Sequence, residues 1–198
     1  MAPQTALASA SVLTLLALTA SAAAAATIDG TNGPDRLLGT HHGDRIVARG
    51  GDDRVRALRG QDLVRPGSGD DRVWLGPGRD VLGARESVGD EVAYGGGHID
   101  FLVGGRGDDV LFGQAGDDNP LGGPGDDLLV GGAGQDFILD GSGSDIIRAG
   151  SGADLVQAAS DAGKDTIRCG PGEDIVYIKR GGRDPRDSYR GCEQTRVP

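Results

Sequence analysis

Aspartate recurs at a fixed interval along this chain, and this regular series of carboxylates is the first feature with an evident chemical use. An aspartate stands every nine residues in two long runs, which are joined by Asp90 and followed by Asp165 and Asp174. The runs contain Asp35, Asp44, Asp53, Asp62, Asp71 and Asp80, and then Asp100, Asp109, Asp118, Asp127, Asp136, Asp145 and Asp154. An ionised carboxylate offers only oxygen, the ligand atom that hard cations such as Ca²⁺ prefer. The series therefore predicts several cation sites of one kind.

Each aspartate is the sixth residue of a nine-residue repeat, and the repeat must position it. Four successive, near-perfect copies between Gly104 and Leu139 follow the pattern G-G-x-G-x-D-x-U-x, in which U is apolar. Glycines at positions one, two and four permit positive φ and a tight turn, and the last three residues suffice for a short strand. A fixed short period of this kind predicts a solenoid. We count about sixteen such rows between Gly30 and Tyr177.

Two rows complete one flattened coil, so the sequence predicts an all-β fold: a two-sheet, right-handed parallel β-solenoid, or β-roll, of about eight coils. Because side chains alternate along a strand, the apolar eighth residue points inward and its two neighbours point outward. The predicted interior consists of Leu37, Ile46, Val55, Val64, Val73, Leu82, Leu102, Leu111, Leu129, Ile138, Ile147, Val156, Ile167 and Val176. This core is thin, so side-chain burial alone does not account for the stability of the fold.

Stacking the coils brings like charges together. Alternate rows fall on the same edge, which predicts two lines of central aspartates: Asp109, Asp127 and Asp145 on one edge, and Asp100, Asp118, Asp136 and Asp154 on the other. Carboxylates separated by one strand spacing, ~4.8 Å, repel by about 1 kcal/mol in water and by several times that where solvent is partly excluded. A divalent cation between successive coils reverses the sign. Ca²⁺ is favoured over Mg²⁺ because it accepts roughly six to eight oxygens in irregular geometry.

The repeat resembles the hemolysin-type, or repeats-in-toxin (RTX), calcium-binding nonapeptide, and the resemblance covers about three quarters of the chain. It implies a parallel β-roll in which several Ca²⁺ ions lie between turns, held by sixth-position aspartates and turn carbonyls. The implied ligands are the carboxylates of Asp100, Asp109, Asp118, Asp127, Asp136, Asp145 and Asp154 and the carbonyl groups of Gly104, Gly122 and Gly131. An unfolded chain lacks such sites, so ion binding is expected to be coupled to folding.

The first six rows follow the pattern less closely, because several of their first-position glycines are replaced. Arginine often follows the aspartate in these rows, at Arg36, Arg45, Arg54 and Arg72. By alternation these arginines point outward and form ladders. They either leave calcium sites in place or neutralise the aspartates themselves. The second alternative predicts fewer bound ions than the number of rows suggests.

The two ends of the chain differ from the repeats. Residues 1–26 contain no charged side chain and read as a secretory signal peptide, which leaves 27–177 for the roll and 178–198 for a short C-terminal cap. Cys169 and Cys192 are the only cysteines, and in an exported chain we predict that they form a disulfide that pins the cap. We therefore predict a secreted, extracellular protein without a membrane span.

The surface composition bears on possible partners. A formal net charge of −10 argues against nucleic acid or an anionic membrane as a partner. The central rows also carry apolar residues at the outward positions, among them Phe101, Phe112, Leu128 and Phe137. We predict that these form an apolar face that self-associates or docks to another surface protein. The alternative is that the tail after residue 177 covers this face.

Catalytic patterns are not apparent in the sequence. His41, His42 and His98 have no serine, cysteine or carboxylate at a spacing that indicates a catalytic triad, so we expect no enzyme activity. We predict a secreted calcium-binding protein whose repeats fold on Ca²⁺ binding and which serves as a structural, adhesive or interaction module. The alternative is an extracellular polysaccharide-acting enzyme, of the lyase or epimerase type, on a β-solenoid scaffold.

Overall fold

The structure is a computed structural model that describes residues 24–84, 87–159, 161–178, 186–192 and 194–196. Most of the predicted signal peptide, residues 1–23, lies outside these ranges, as does part of the predicted cap. Every element of the described ranges is a β-strand. No helix with the length and hydropathy needed to cross a membrane occurs in them.

The strands form two parallel sheets on either side of one interior. The ten-stranded sheet contains, in spatial order, β1 (Thr27–Asp29), β3 (Arg45–Gly50), β5 (Leu63–Ser68), β7 (Val81–Gly83), β9 (Phe101–Val103), β11 (Asn119–Pro124), β13 (Phe137–Ser142), β15 (Leu155–Ala158), β17 (Ile175–Ile178) and β19 (Gln194–Arg196). The nine-stranded sheet contains β2 (Arg36–Leu38), β4 (Arg54–Arg56), β6 (Arg72–Pro77), β8 (Val92–Gly97), β10 (Val110–Ala115), β12 (Leu128–Ala133), β14 (Ile146–Ser151), β16 (Thr166–Arg168) and β18 (Ser188–Arg190).

Successive strands alternate between the two sheets, so each coil uses two repeats. The chain leaves β10, turns into β11 on the opposite sheet, and returns as β12 beside β10. Leu111 then pairs with Leu129, two nine-residue repeats later. The predicted two-sheet parallel β-roll is therefore confirmed.

The roll extends further than the repeat count predicted. Strands β18 and β19 lie in the segment predicted as a cap, and they continue the sheets, with Thr166 paired to Ser188 and Ile175 paired to Gln194. The roll has about nine turns rather than eight. The count fell short because it followed the glycine and aspartate pattern, which fades before the strands end.

The interior is formed by two positions of each repeat. All fourteen predicted eighth-position residues are buried, and Leu111, Ile138 and Val156 are among those with no exposed surface. The first position also points inward, where Leu75 and Ala149 add apolar volume. A polar side chain at the first position would therefore lie inside the roll, which becomes important for the site described below.

The turns require glycine because the coils stack closely. Gly123 has φ of 125° and Gly125 has φ of 150°, a region that other residues rarely adopt. A Cβ atom at Gly125 would also lie against the carbonyl oxygen of Gly107 in the preceding coil. Backbone carbonyls of successive turns thus approach one another along each edge of the roll.

The irregular row between Asp80 and Asp100 differs from the prediction. Glu91, and not Asp90, occupies the sixth position: it directly precedes β8 and has no exposed surface. Its N–H donates to Oδ1 of Asp109 at 2.8 Å, as a sixth-position residue should. Asp90 is exposed and occupies the fifth position. The prediction was wrong because counting aspartates cannot identify a glutamate in the same place.

The predicted disulfide between Cys169 and Cys192 is confirmed. Cys169 follows β16 at a buried first position, and Cys192 lies between β18 and β19. The bond therefore connects the last two coils of the roll. It closes a loop with a sequence separation of 23 residues.

Loss of this disulfide should lower the stability of the last coils. A loop of this length corresponds to about 3 kcal/mol in the chain-entropy description, or a melting temperature lower by roughly 6–12 °C in a protein of this size. We expect this decrease for the calcium-loaded Cys192→Ser variant, measured by circular dichroism. Adding a reductant to the Cys169→Ser/Cys192→Ser variant should change nothing. A melting temperature equal to that of the unmodified protein would contradict a stabilising role.

Candidate metal centre

The turns bring the sixth-position acids into two lines. Each acid directly precedes a strand, so one line runs along the edge where the strands of each sheet begin. The line ahead of the nine-stranded sheet contains Asp35, Asp53, Asp71, Glu91, Asp109, Asp127, Asp145, Asp165 and Asp187, and the line ahead of the ten-stranded sheet contains Asp44, Asp62, Asp80, Asp100, Asp118, Asp136, Asp154 and Asp174. All except the half-buried Asp187 are at most 6% exposed. The seven aspartates predicted as ligands thus lie in the two lines expected from the repeat.

Backbone hydrogen bonds connect most of these acids to the next acid along the same line. The N–H of Asp109 donates to Oδ1 of Asp127 at 2.8 Å, and the N–H of Asp127 donates to Oδ1 of Asp145 at 2.8 Å. On the other edge the N–H of Asp118 donates to Oδ1 of Asp136 at 2.8 Å. Oδ1 of each of these acceptor aspartates is therefore held by a backbone N–H of the preceding coil.

The second oxygen of these carboxylates is buried without a hydrogen-bond partner among the described residues. This holds for Oδ2 of Asp53, Asp62, Asp71, Asp80, Asp100, Asp118, Asp127, Asp136 and Asp154. Burying one polar group without a partner costs about 1–3 kcal/mol, and a charged group costs more. A repeated cost of this kind indicates that these oxygens bind something other than the protein.

Burial raises the pKa of these carboxyl groups, to about 7 for Asp127, Asp136 and Asp145 and to about 8 for Asp100. Loss of hydration is the largest cause, because it disfavours the ionised form. The backbone hydrogen bond to Oδ1 opposes this effect, and repulsion from neighbouring carboxylates adds to it. Burial and the adjacent Asp109 also raise the pKa of Glu91. A divalent cation beside such groups favours the ionised form.

First-position glycines make room for the unpaired oxygens. A Cβ atom at Gly113 would lie 2.5 Å from Oδ2 of Asp118 and 2.5 Å from the carbonyl oxygen of Gly131. Gly104 and Gly122 likewise lie directly against the Oδ2 atoms of Asp109 and Asp127. Carboxylate and first-position carbonyl oxygens therefore converge at the central glycines.

The three predicted carbonyl ligands differ in their existing contacts. The carbonyl of Gly122 accepts a hydrogen bond from the N–H of Gly105 at 3.1 Å, and that of Gly104 accepts one from the Ser87 hydroxyl at 3.2 Å. The carbonyl of Gly131 approaches the carboxylate of Asp118, as described above. A carbonyl oxygen has two lone pairs, so each of these groups retains capacity for a cation.

The donor set fits Ca²⁺. The converging groups are carboxylate and carbonyl oxygens, which suit hard cations rather than thiolate- or imidazole-binding transition metals. Asp100, Asp109, Asp118, Asp127, Asp136, Asp145 and Asp154 would hold the ions through Oδ2, with turn carbonyls completing the shell. A bound ion would supply the positive charge that offsets both the repulsion along each line and the lost hydration.

Asp140 is a site residue that the sequence analysis missed. It takes a first position, where other rows have glycine or an apolar residue, and it is only 2% exposed. Carboxylate oxygens of Asp140, Asp145 and Asp165 lie within 4.8 Å of one another. Burial, with repulsion from Asp165 and Asp145, raises the pKa of Asp140 to about 7. The signal in the sequence was an acid in place of the first glycine of the row.

The fifth-position acids form a further line on the outside of one edge. The N–H of Asp108 donates to Oδ1 of Asp90 at 2.9 Å, and the N–H of Asp126 donates to Oδ1 of Asp108 at 2.8 Å. These acids are exposed, unlike their sixth-position neighbours. Water screens their mutual repulsion, so they do not require an ion in the way that the buried lines do.

The arginines of the first rows lie on the outer faces, as predicted. Arg36, Arg54 and Arg72 pair in register on the nine-stranded sheet, and Arg45 lies on the other sheet. All four are exposed, whereas the aspartates beside them in sequence are buried. This geometry places the guanidinium groups on the outer faces and the carboxylates inside the edges of the roll.

The predicted apolar face is divided between the two sheets, which corrects the prediction of one continuous patch. Phe101 and Phe137 belong to the ten-stranded sheet, and Phe112 and Leu128 belong to the nine-stranded sheet. Among these four side chains only Phe101 is exposed, with 38% of its surface accessible to solvent, and the other three are half-buried. The physical reason is the alternation of rows between opposite sheets. Residues nine apart in sequence point in opposite directions.

Comparison with known proteins agrees with this geometry. The family model for the RTX calcium-binding nonapeptide repeat matches in four copies, at residues 25–55, 47–82, 94–119 and 121–156. No curated protein matches the chain. The matched segments cover more than half of the chain and include the buried aspartates from Asp35 to Asp80 and from Asp100 to Asp154. The chain therefore belongs to the family of RTX calcium-binding nonapeptide repeat proteins.

Proposed function

We propose that this protein is a calcium-binding structural module whose repeats fold when Ca²⁺ binds. The observation that carries the proposal is that nine buried aspartates of the two lines have Oδ2 atoms with no hydrogen-bond partner among the described residues. Such an arrangement is stable only if positive charge is supplied between the coils. Because the coordinating groups come together only in the folded roll, ion binding stabilises the folded state alone.

We propose that the first rows bind ions as the central rows do. Asp53, Asp62, Asp71 and Asp80 are as deeply buried as the central aspartates, and their Oδ2 atoms also have no partner among the described residues. Burial raises the pKa of Asp53 to about 7, as it does for Asp127. The expected sites therefore extend along most of both edges.

The proposed location is extracellular, and the proposed role is structural or adhesive rather than enzymatic. A disulfide between Cys169 and Cys192 fits an oxidising compartment, and RTX-type folding suits a medium that supplies Ca²⁺. The buried acids face one another across the coils instead of facing a substrate cleft. This position suits ion binding between coils.

Counting bound ions tests the proposal directly. Titration calorimetry of the metal-depleted full-length chain should report several Ca²⁺ ions per molecule. The Asp118→Asn/Asp136→Asn variant should bind at least one ion fewer, because asparagine preserves the hydrogen bond from the preceding coil but removes the charge. Binding of no Ca²⁺ at millimolar concentration would refute the proposal.

The matched control changes two exposed acids next to the buried lines, one on each edge. The Asp117→Asn/Asp126→Asn variant removes the same total charge, but these fifth-position side chains lie in water. It should bind as many ions as the unmodified chain. An equal loss of ions in both variants would assign binding to general acidity and not to the buried lines.

A further inference from the structure

The outer face of the nine-stranded sheet carries a charge pattern opposite to that of the whole protein. Its strands contain seven arginines and neither Asp nor Glu. The chain as a whole has 30 acids and 20 basic residues. Acids are therefore concentrated at the edges of the roll, and this face is basic. We refer to it as the arginine face.

One end of the arginine face is a compact basic cluster. Arg36, Arg54 and Arg72 occupy the same register on β2, β4 and β6, so their backbones are one strand spacing apart, ~4.8 Å. Arg56 lies in the adjacent column with its guanidinium 5.4 Å from the centre of the Trp74 ring. Arg36, Arg54 and Arg56 line a groove of about 450 Å³ together with Leu38 and Trp74.

The other end of the arginine face repeats the arrangement. Arg148, Arg168 and Arg190 occupy one register on β14, β16 and β18, and all three are exposed. They lie in the same column as Arg56 and Trp74, farther along the roll. Two groups of arginines are therefore aligned along the axis of the roll.

Stacked aromatic rings separate the two groups. The rings of Trp74 and Tyr94 have centroids 5.8 Å apart and an interplanar angle of 5°, and those of Tyr94 and Phe112 are 5.0 Å and 7°. Both faces of Tyr94 are covered by its neighbours, and Trp74 stacks against Tyr94 and the guanidinium of Arg56. The strip between the basic groups is therefore flat, partly apolar and free of negative charge.

We propose that the arginine face binds an extended acidic polysaccharide that lies along the axis of the roll. Arginines stacked at the strand spacing repel one another, and a chain with repeated carboxylate or sulfate groups removes this repulsion at several positions at once. Guanidinium groups match such anions with paired N–H donors. The flat strip admits the carbon-rich faces of sugar rings between the charged contacts.

The ring geometry favours a polysaccharide over a nucleic acid. Single-stranded nucleic acids gain much of their affinity by stacking bases on free aromatic faces. Here the faces of Tyr94 are occupied by Trp74 and Phe112, so only ring edges are presented. A sugar polymer held by its charged groups does not need a free ring face.

Calcium binding would strengthen this interaction through the long-range field. The carboxylates along the edges of the roll repel a polyanion, and bound Ca²⁺ reduces that repulsion. This point alone rests on the proposed function. The arginine face itself is present in the fold whether or not calcium sites exist.

Binding to a defined polyanion tests the proposal. Full-length protein in Ca²⁺ is titrated into fluorescent dextran sulfate, with neutral dextran as the uncharged comparison and circular dichroism to verify the fold. The Arg36→Gln/Arg54→Gln/Arg72→Gln variant should bind about tenfold more weakly, because several modest contacts are lost together. The Arg45→Gln/Arg65→Gln/Arg106→Gln variant loses the same charge elsewhere and should bind nearly as well as the unmodified chain.

Several results would overturn the proposal. The first is that the folded protein does not bind dextran sulfate, and the second is that binding weakens equally in both variants. The third is that the protein binds a single-stranded oligonucleotide or anionic vesicles more tightly than dextran sulfate. Sedimentation of the protein alone provides a further check: an oligomer that the face variant abolishes would identify a second copy as the occupant. Failure of calcium binding would appear separately, in the titration of Ca²⁺ itself.

Discussion

Removal of calcium at neutral pH should unfold the roll almost completely. Each buried line places ionised carboxylates about one strand spacing apart, and each repulsion is worth about 1 kcal/mol in water and several times that where solvent is excluded. Summed along both lines, this approaches or exceeds the ~5–15 kcal/mol that separates typical folded and unfolded states. We expect a chelator at about pH 7.5 to abolish the far-ultraviolet strand signal, and excess Ca²⁺ to restore it.

Two comparisons make this result specific. Mg²⁺ at the same concentration should restore little signal, because it requires a tighter octahedral shell and retains its water. The Asp109→Asn/Asp127→Asn/Asp145→Asn variant should retain more strand signal in chelator than the unmodified protein, since three neighbouring charges in one line are removed. Strand signal and melting temperature unaffected by the chelator would refute the coupling of folding to calcium.

Much of this architecture could be predicted because a short period determines it. Once an aspartate recurs every nine residues, two repeats per coil place Asp109, Asp127 and Asp145 on one edge whatever the rest of the sequence contains. The disulfide was equally accessible, since the chain has only two cysteines. Period and chemical type together sufficed for these features.

The features that were missed depend on direction in space. Asp140 was missed because only the structure shows that the first position points inward, toward Asp145 and Asp165. Glu91 was overlooked because two extra residues shifted the count by which Asp90 was chosen. The apolar residues were assigned to one face although the same alternation that produced two lines of aspartates must also send Phe101 and Phe112 to opposite sheets.

The arginine face shows why net charge was an incomplete guide to partners. A sum over the sequence gives −10, but it mixes acids at the edges with arginines on one sheet. Arg36, Arg54 and Arg72 form a basic surface because the register aligns them, and the coil length that aligns the aspartates aligns them too. In a solenoid, the charge of a surface is therefore best obtained by adding the charges of residues that share one register position on neighbouring strands.

The stability of the roll should respond to pH in opposite directions with and without calcium. Burial raises the pKa of Asp127, Asp136 and Asp145 from the ordinary value of 3.8 to about 7 in the folded chain. Without metal, the folded state therefore binds more protons than the unfolded state at any pH between about 3.8 and about 7. The contribution of these protons to the free energy of unfolding is fully present below about pH 3.8 and is lost as the pH rises through about 7. With calcium, protons compete for the same oxygens, so acidification weakens binding.

Circular dichroism from about pH 8 to pH 5 would reveal this contrast. Protein freed of metal by dialysis should gain strand signal as the pH falls, because protonation removes the repulsion along the buried lines. Calcium-loaded protein should lose melting temperature over the same interval; several carboxyl groups titrate together, and each kcal/mol corresponds to about 2–4 °C. The Asp118→Asn/Asp136→Asn variant should flatten both dependences, whereas Asp117→Asn/Asp126→Asn should leave them unchanged. Slopes of the same sign in the two conditions would mean that the buried carboxylates are not where protons and calcium compete.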